Sequence, residues 1–116
     1  MNNGRRVVIT GLGVISPVGN DVAAFWDSLT SGRCGIGPLT GVDLHGLPIH
    51  VAGNIKDFDP AAYGLSGADK RRNDLYSQYA LAAASQAMAS SGIISGENIG
   101  PERFGVYVGT GIGGMN

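Results

Sequence analysis

Apolar and polar positions alternate along this chain in patterns that change every ten to thirty residues. Arg5-Arg6-Val7-Val8-Ile9-Thr10 is a β-branched run stopped by Gly11-Leu12-Gly13, which predicts a buried, central, parallel strand. Val14-Ile15 then meets Ser16-Pro17-Val18-Gly19, a turn signal. Asn20 is the expected N-cap of the next element, and Asp21 places negative charge in its first turn. Val22, Phe25, Trp26 and Leu29 recur at helical spacing, so an amphipathic helix is predicted over 21–31, with Gly32 to stop it.

From Arg33 to Tyr63 the chain is rich in glycine and proline, and only Leu47-Pro48-Ile49-His50-Val51-Ala52-Gly53 reads as a short strand, which its proline assigns to an edge. Asp57-Phe58-Asp59-Pro60 predicts a turn opening a short helical segment at Ala61 to Tyr63. Ser66 and Asp69 have the spacing of a capping box, and neither glycine nor proline interrupts the helical pattern from there to Met88. One long helix is therefore expected, ended by Gly92. Tyr76, Ala80, Ala83 and Ala87 form one stripe on it, and Leu81, Ala84 and Met88 the adjacent one. Phe104-Gly105-Val106-Tyr107-Val108 predicts a second buried strand, neighbour to the first, running into Gly109-Thr110-Gly111-Ile112-Gly113-Gly114. Strands alternating with helices predict an α/β fold.

Composition narrows the function classes. The 116 residues carry 8 basic and 9 acidic side chains, a formal charge of −1, without long blocks of either sign. A broad electrostatic footprint for nucleic acid or an anionic membrane is absent, so any charged docking site is local. No apolar run reaches the roughly 18 residues of a membrane span, and glycines and a proline break the N-terminal region where a signal peptide needs a continuous apolar core. A cytoplasmic location is expected. The single cysteine, Cys34, cannot close an internal disulfide, and with two histidines it falls short of a four-ligand zinc site. Glycine is the outlier at 20 residues. Scattered between apolar runs, these glycines suit tight turns and close backbone packing in an α/β architecture.

Several residues invite a chemical reading, each with a plainer rival. Gly109, Gly111 and Gly114 fit a dinucleotide fingerprint, but that motif needs a following helix N-terminus and an acidic residue about 20 positions on, neither of which follows before Asn116. A self-standing glycine-rich nucleotide-binding module is thus the alternative, not the main reading. The Thr10-Gly11-Leu12-Gly13 turn has Ile15 and Pro17 where a dehydrogenase turn wants glycines, so its glycines are expected to be structural. Cys34 follows Arg33, whose charge could lower a thiol pKa, yet neither base nor oxyanion hole is visible beside it, and a passive thiol is expected. His45 and His50 lack metal-ligand spacing, and Asp57 and Asp59 read as turn residues. Lys70-Arg71-Arg72 is the densest charge cluster. At the start of one long helix, three cations would oppose the helix dipole, so they call for nearby carboxylates, with Asp69 and Asp74 available, or for an anionic partner; a solvated helix face is the rival reading.

The residues also resemble a known family. Arg5-Arg6-Val7-Val8-Ile9-Thr10-Gly11-Leu12-Gly13-Val14-Ile15-Ser16-Pro17-Val18-Gly19-Asn20, the loop Gly35-Ile36-Gly37-Pro38, the stretch Ala52-Gly53-Asn54-Ile55-Lys56-Asp57-Phe58-Asp59-Pro60, the helix Gln78-Tyr79-Ala80-Leu81-Ala82-Ala83-Ala84 and the turn Gly105-Val106-Tyr107-Val108-Gly109-Thr110-Gly111-Ile112-Gly113-Gly114 occur in the order seen in the β-ketoacyl-acyl carrier protein synthase II family. The resemblance spans essentially the whole chain from Arg5. It implies the N-terminal part, about a quarter, of a condensing enzyme with the thiolase-like αβαβα layered fold.

The activity implied is a decarboxylative Claisen condensation, in which a cysteine takes an acyl chain from acyl carrier protein and a malonyl-loaded carrier extends it by two carbons. The family's nucleophile, two histidines and lysine lie in later segments, so no catalytic residue is expected among residues 1–116, and this length of chain is expected to be inactive and poorly stable or self-associating alone. Gly111 and Ile112 match substrate-binding positions, with the isoleucine on the fatty-acyl tunnel near the dimer interface. Arg71 and Arg72 match basic positions that meet the acidic helix of the carrier protein in this family, and the adjacent Lys70 is expected to dock with them. Acyl carrier protein and a second copy in a homodimer are thus the implied partners, with no nucleic acid, membrane, cofactor or metal. The resemblance departs at Asn73, where the family usually has methionine; looser local packing or a divergent member of the family is the expected meaning.

Overall fold

A computed structural model describes residues 4–41, 46 and 48–114. The expected turn forms first: Ser16 N–H donates to Gly19 O at 2.9 Å, Gly19 N–H returns a bond to Ser16 O at 3.3 Å, and Ser16 Oγ accepts from Val18 N–H. Helix α1 follows over Val22–Thr30. Its N-cap is Asp21 rather than Asn20, because the Asp21 carboxylate accepts from Ala24 N–H at 2.8 Å while the Asn20 side chain turns away to donate to Lys56 O at 2.7 Å. Gly32 stands just beyond the helix at φ +69°, a conformation that favours glycine.

The excursion after α1 contains the only regular sheet among the described residues. Strand β1, Gly37–Pro38, pairs antiparallel with β2, Val51–Ala52, in the register Gly37 to Ala52 and Pro38 to Val51. The strand expected over 47–53 is thus confined to its end, and Leu47 and His45 lie outside the described residues. Asp59 caps a single 3-10 turn at Pro60–Tyr63 by accepting from Ala61 N–H at 3.0 Å, as the turn signal predicts. Phe58 stacks on Tyr63 with ring centroids 5.7 Å apart and meets Tyr79 edge-on at 4.8 Å, which fastens this segment to the long helix.

The long helix is broken. Helix α2 spans Gly67–Arg72 and α3 spans Leu75–Ser91, with Asn73 and Asp74 extended between them. No glycine or proline marks this break, so the uninterrupted pattern concealed it. Gly92 ends α3 at φ +65°, as expected. Of the predicted stripes on α3, Ala80, Ala83, Ala87 and Met88 are half-buried while Tyr76, Leu81 and Ala84 are exposed, and the most buried positions, Gln78 and Ala82, belong to neither stripe.

Gly11 and Gly13 lie directly on α3. A Cβ at Gly13 would overlap the Ala83 carbonyl, and one at Gly11 would overlap that of Ala87, so close backbone approach accounts for both glycines. The glutamine between these contacts fixes the loop. Gln86 Oε1 accepts from Val14 N–H at 3.2 Å, and Gln86 Nε2 donates to Val14 O at 3.1 Å and to Asn20 O at 2.8 Å. Tyr63 Oη donates to the same Asn20 carbonyl at 2.8 Å.

The two predicted buried strands are the main correction. Neither 5–10 nor 104–108 forms a ladder among the described residues, and their apolar side chains face outward: Val7 is 95% and Tyr107 98% exposed. β-branched sequence favours an extended, half-covered surface, but a strand exists only when a neighbour takes up its N–H and C=O groups, and neither segment supplies one to the other here.

Candidate functional site

Helix α2 carries the basic cluster and is closed at both ends. At its start the Ser66–Asp69 capping box is complete: Asp69 N–H donates to Ser66 Oγ at 3.1 Å, and Ser66 N–H donates to Asp69 Oδ2 at 2.8 Å. At its end Asn73 donates twice to Asp69 O, from its backbone N–H at 3.0 Å and from Nδ2 at 2.9 Å. Gln78, reaching back from α3, donates from Nε2 to Lys70 O at 3.2 Å and to Asn73 O at 2.8 Å. Gln78 is only 4% exposed, and its Oε1 is buried without a hydrogen-bond donor. Leaving such an acceptor unpaired costs about 1–3 kcal/mol, so the amide holds its orientation through the two bonds made by its nitrogen.

This arrangement reverses the electrostatic reading of the cluster. Lys70, Arg71 and Arg72 occupy the last turn of α2, where the carbonyl end of the helix dipole favours cations, not the first turn of a longer helix. All three side chains are exposed. The ion pair found among the described residues is elsewhere, Arg33 with Asp27 at 3.2 Å. The cluster is therefore compatible with its helix and still presents three cations to solvent.

Asp69 links the cap to pH. Hydrogen bonds from the Ser66 hydroxyl and backbone N–H hold its carboxyl below the ordinary aspartate range, and the Arg72 charge adds to the effect. A carboxyl with a lowered folded pKa stabilises the fold fully above its unfolded value, and that contribution is lost as pH falls through the folded value. Protection of the α2 amides from hydrogen exchange should therefore fall as the solution is acidified below about pH 4, and Ser66→Ala should raise the Asp69 titration midpoint. An Asp69 midpoint in NMR titration that is ordinary, or that Ser66→Ala leaves in place, would contradict this account.

The glycine-rich turn meets the other side of the α2–α3 junction. Thr110 Oγ1 accepts from Gly113 N–H at 3.0 Å, and Gly113 adopts φ +82°. Gly113 and Gly114 line a cavity of about 340 Å³ with Asp74, Leu75, Tyr76 and Tyr79, and a Cβ at Gly114 would overlap the Asp74 carboxylate. The Asp74 carboxylate lies against this turn, and its negative charge disfavours a phosphate at Gly114. Gly111 has open space around its Cα, and Ile112 is 76% exposed. The two sets of residues singled out from the sequence thus flank one junction: Arg72 precedes Asn73-Asp74, and Asp74 abuts the turn that carries Gly111 and Ile112.

Cys34 is set apart from this junction. It is exposed, donates weakly to Ile36 O at 3.9 Å, and lines a separate cavity with Ser16, Arg33, Lys56 and Asp57. Arg33 is paired with Asp27, and neither histidine nor carboxylate hydrogen-bonds the thiol among the described residues. No helix among these residues is long and apolar enough to cross a membrane.

Comparison with known proteins places this geometry. The family described as "Beta-ketoacyl synthase, N-terminal domain" matches residues 4–116. The chain belongs to the β-ketoacyl synthase family. It is 45% identical over 111 residues to the 3-oxoacyl-[acyl-carrier-protein] synthase 2 of Coxiella burnetii, covering 96% of this chain and 26% of that protein. It is 44% identical over 113 residues to the Vibrio harveyi protein of the same name, covering 97% and 26%. For the Staphylococcus aureus COL protein of that name the figures are 39% over 115 residues, 99% and 27%. This β-ketoacyl synthase chain therefore spans about a quarter of the length of the curated relatives it matches. Among solved structures it is similar to the ishigamide ketosynthase/chain length factor, with TM-score 0.70 and 36% identity, covering 78% of this chain and 22% of that one. The α/β, thiolase-like fold class expected from the sequence is the fold of this ketosynthase neighbour.

Within the family frame, Asn73 is not a loose end. It is half-buried, and its side chain closes the C-terminus of α2. The arrangement that sequence reasoning missed is the pair of glutamines that tie α3 to the α2 end and to the loop before α1. Gln78, Ala82 and Gln86 are spaced four apart and so share one face of α3, and two amides on a helix face otherwise made of small residues were the available signal.

Proposed function

We propose that this chain forms the N-terminal part of a fatty-acid condensing enzyme, a 3-oxoacyl-acyl carrier protein synthase acting in the cytoplasm as a homodimer. The observation that carries the reading is 39–45% identity, over nearly the whole chain, to proteins named 3-oxoacyl-[acyl-carrier-protein] synthase 2. In the reaction, a cysteine thiolate outside residues 1–116 holds the acyl chain as a thioester. Malonyl carrier protein loses carbon dioxide, and the carbanion so formed attacks the acyl carbonyl. The new carbon–carbon bond replaces the carbon–sulfur bond, returning the thiolate and releasing the 3-oxoacyl chain on its carrier. Cys34, exposed and with no base hydrogen-bonded to it among the described residues, takes no part.

Two groups of residues serve this chemistry. Lys70, Arg71 and Arg72 dock the acidic carrier protein, which suits three exposed cations held on a capped helix. Arginine adds a planar fork that engages carboxylates bidentately. Gly111 and Ile112 bind the acyl chain: the branched side chain stands between glycines that carry no Cβ, so acyl methylenes can pack against it closely.

The test uses the complete gene product, assayed for 3-oxoacyl product with carrier-bound acyl chains of increasing length. Product formation is expected, and Ile112→Phe should lower kcat/KM for the longest chains about tenfold to a hundredfold through overpacking while leaving short chains within about twofold. Absence of product overturns the function; an unchanged chain-length profile overturns the role of Ile112.

A further inference from the structure

We propose that Asn73 and Gln78 are positioning residues for carrier-protein binding: together they clamp the last turn of α2 onto α3 and so set the directions of Lys70, Arg71 and Arg72 before the partner arrives. The inference rests on the docking role proposed for that basic cluster, and adds the device that gives the cluster a fixed geometry. Three observations carry it. Helix α2 has only six residues, far short of the length at which a helix holds itself together in water. Its terminal carbonyls are taken up by side chains from outside it: Asp69 O accepts from Asn73 Nδ2 at 2.9 Å, and Lys70 O accepts from Gln78 Nε2 at 3.2 Å. Gln78 itself is 4% exposed on the 17-residue α3, so the basic turn is referenced to the longest rigid element of the chain.

The chemistry of the clamp is one-directional. Gln78 Nε2 bridges Lys70 O and Asn73 O, while Gln78 Oε1 is buried with no donor; rotating the amide would aim an acceptor at two carbonyls. Residue 70 is thus held by its main chain while its ammonium stays in solvent. Without the clamp, the turn frays and three flexible cations must be ordered when the carrier binds, a cost charged to association and absent from the chemistry of the bound thioester.

The clamp is tested in the complete gene product with Gln78→Met, which keeps the volume but removes both donations, and independently with Asn73→Ala. Each is assayed with a carrier-bound acyl substrate and with a small acyl thioester that needs no carrier. The expected result is a rise of about threefold to tenfold in KM for the carrier-bound substrate, with kcat and the small-thioester kinetics unchanged. Faster hydrogen exchange of the α2 amides should accompany it. Should Gln78→Met fail to fold, Asn73→Ala decides the matter. Equal losses on both substrates, or no change in KM with either variant, overturn the clamp. Arg71→Glu with Arg72→Glu serves as the reference: if that double variant raises the carrier KM while the clamp variants do not, the clamp alone fails, and if the double variant has no effect, the docking role fails and the clamp with it.

Discussion

Alone in solution, the 116-residue chain should sediment as oligomers and lose its structure over a broad temperature range instead of melting sharply as a monomer. A compact domain of this length has a radius of gyration of about 13 Å, whereas this chain has 17.6 Å and a longest dimension of 59 Å. Its accessible surface is 9171 Å², against roughly 5,900 Å² for a folded monomer of the same mass. The excess, roughly 3,000 Å², is of the size buried in obligate interfaces. It is also apolar in the places that matter: Val7, Val8, Ile9, Val106, Tyr107 and Val108 are all exposed, and Pro60 and Ala82 are the buried apolar side chains among the described residues. Uncovered β-branched segments with unpaired backbone groups associate with whatever offers a strand edge or an apolar face. A monomeric mass in sedimentation, together with a reversible two-state melt, would refute this expectation.

Reversing two charges of the basic cluster should produce the other large effect. In the complete gene product, Arg71→Glu with Arg72→Glu is expected to raise KM for carrier-bound substrate by about tenfold to a hundredfold, because the substitution replaces attraction by repulsion at the rim of the contact and acts mainly on the association rate. Turnover of a small acyl thioester should stay within about twofold. The difference between wild type and variant should narrow as salt rises, since exposed charges are screened beyond about 8 Å at physiological ionic strength. The hydrogen bonds that close α2 do not involve the arginine side chains, and because glutamates at its carbonyl end oppose the helix dipole, Arg71→Gln with Arg72→Gln should give a smaller KM rise of the same kind without that penalty. Equal loss on both substrates would show that the arginines support the fold, and an unchanged KM would make the cluster a solvated helix face.

Most local signals in the sequence were legible where a residue acts on its immediate neighbours; the N-cap of α1 was not, because Lys56 O draws the Asn20 side chain away and Asp21 takes the role. The capping box at Ser66 and Asp69, the turn at 16–19, the short helical turn opened by residues 57–60 and the glycine after α3 all follow from short-range hydrogen bonding or backbone conformation, and the structure contains each of them. What depended on distant partners was less visible. The break at Asn73-Asp74 has no helix-breaking residue in it; it is stabilised by an amide from position 78 that a pattern of apolar residues does not register. The paired strands expected at 5–10 and 104–108 failed for the same reason in reverse, since composition reports a preference for a sheet and not the presence of a neighbour. At the candidate site, the residue identities of the basic cluster and the glycine turn were readable. Their meeting on two sides of one junction was not, and the electrostatic environment of the cluster was misjudged because it depended on where one helix ends and the next begins.

Gln86 binds residue 14 only through main-chain atoms, accepting from its N–H at 3.2 Å and donating to its carbonyl at 3.1 Å. Such a contact is blind to side-chain identity, so position 14 is free to drift among residues that follow the same backbone path. Position 86 has no such freedom: shortening the side chain by one methylene, as in Gln86→Asn, withdraws both of these bonds and the one to Asn20 O at once. Mutational tolerance in the loop that precedes α1 is thus set from a helix 72 residues away in the chain.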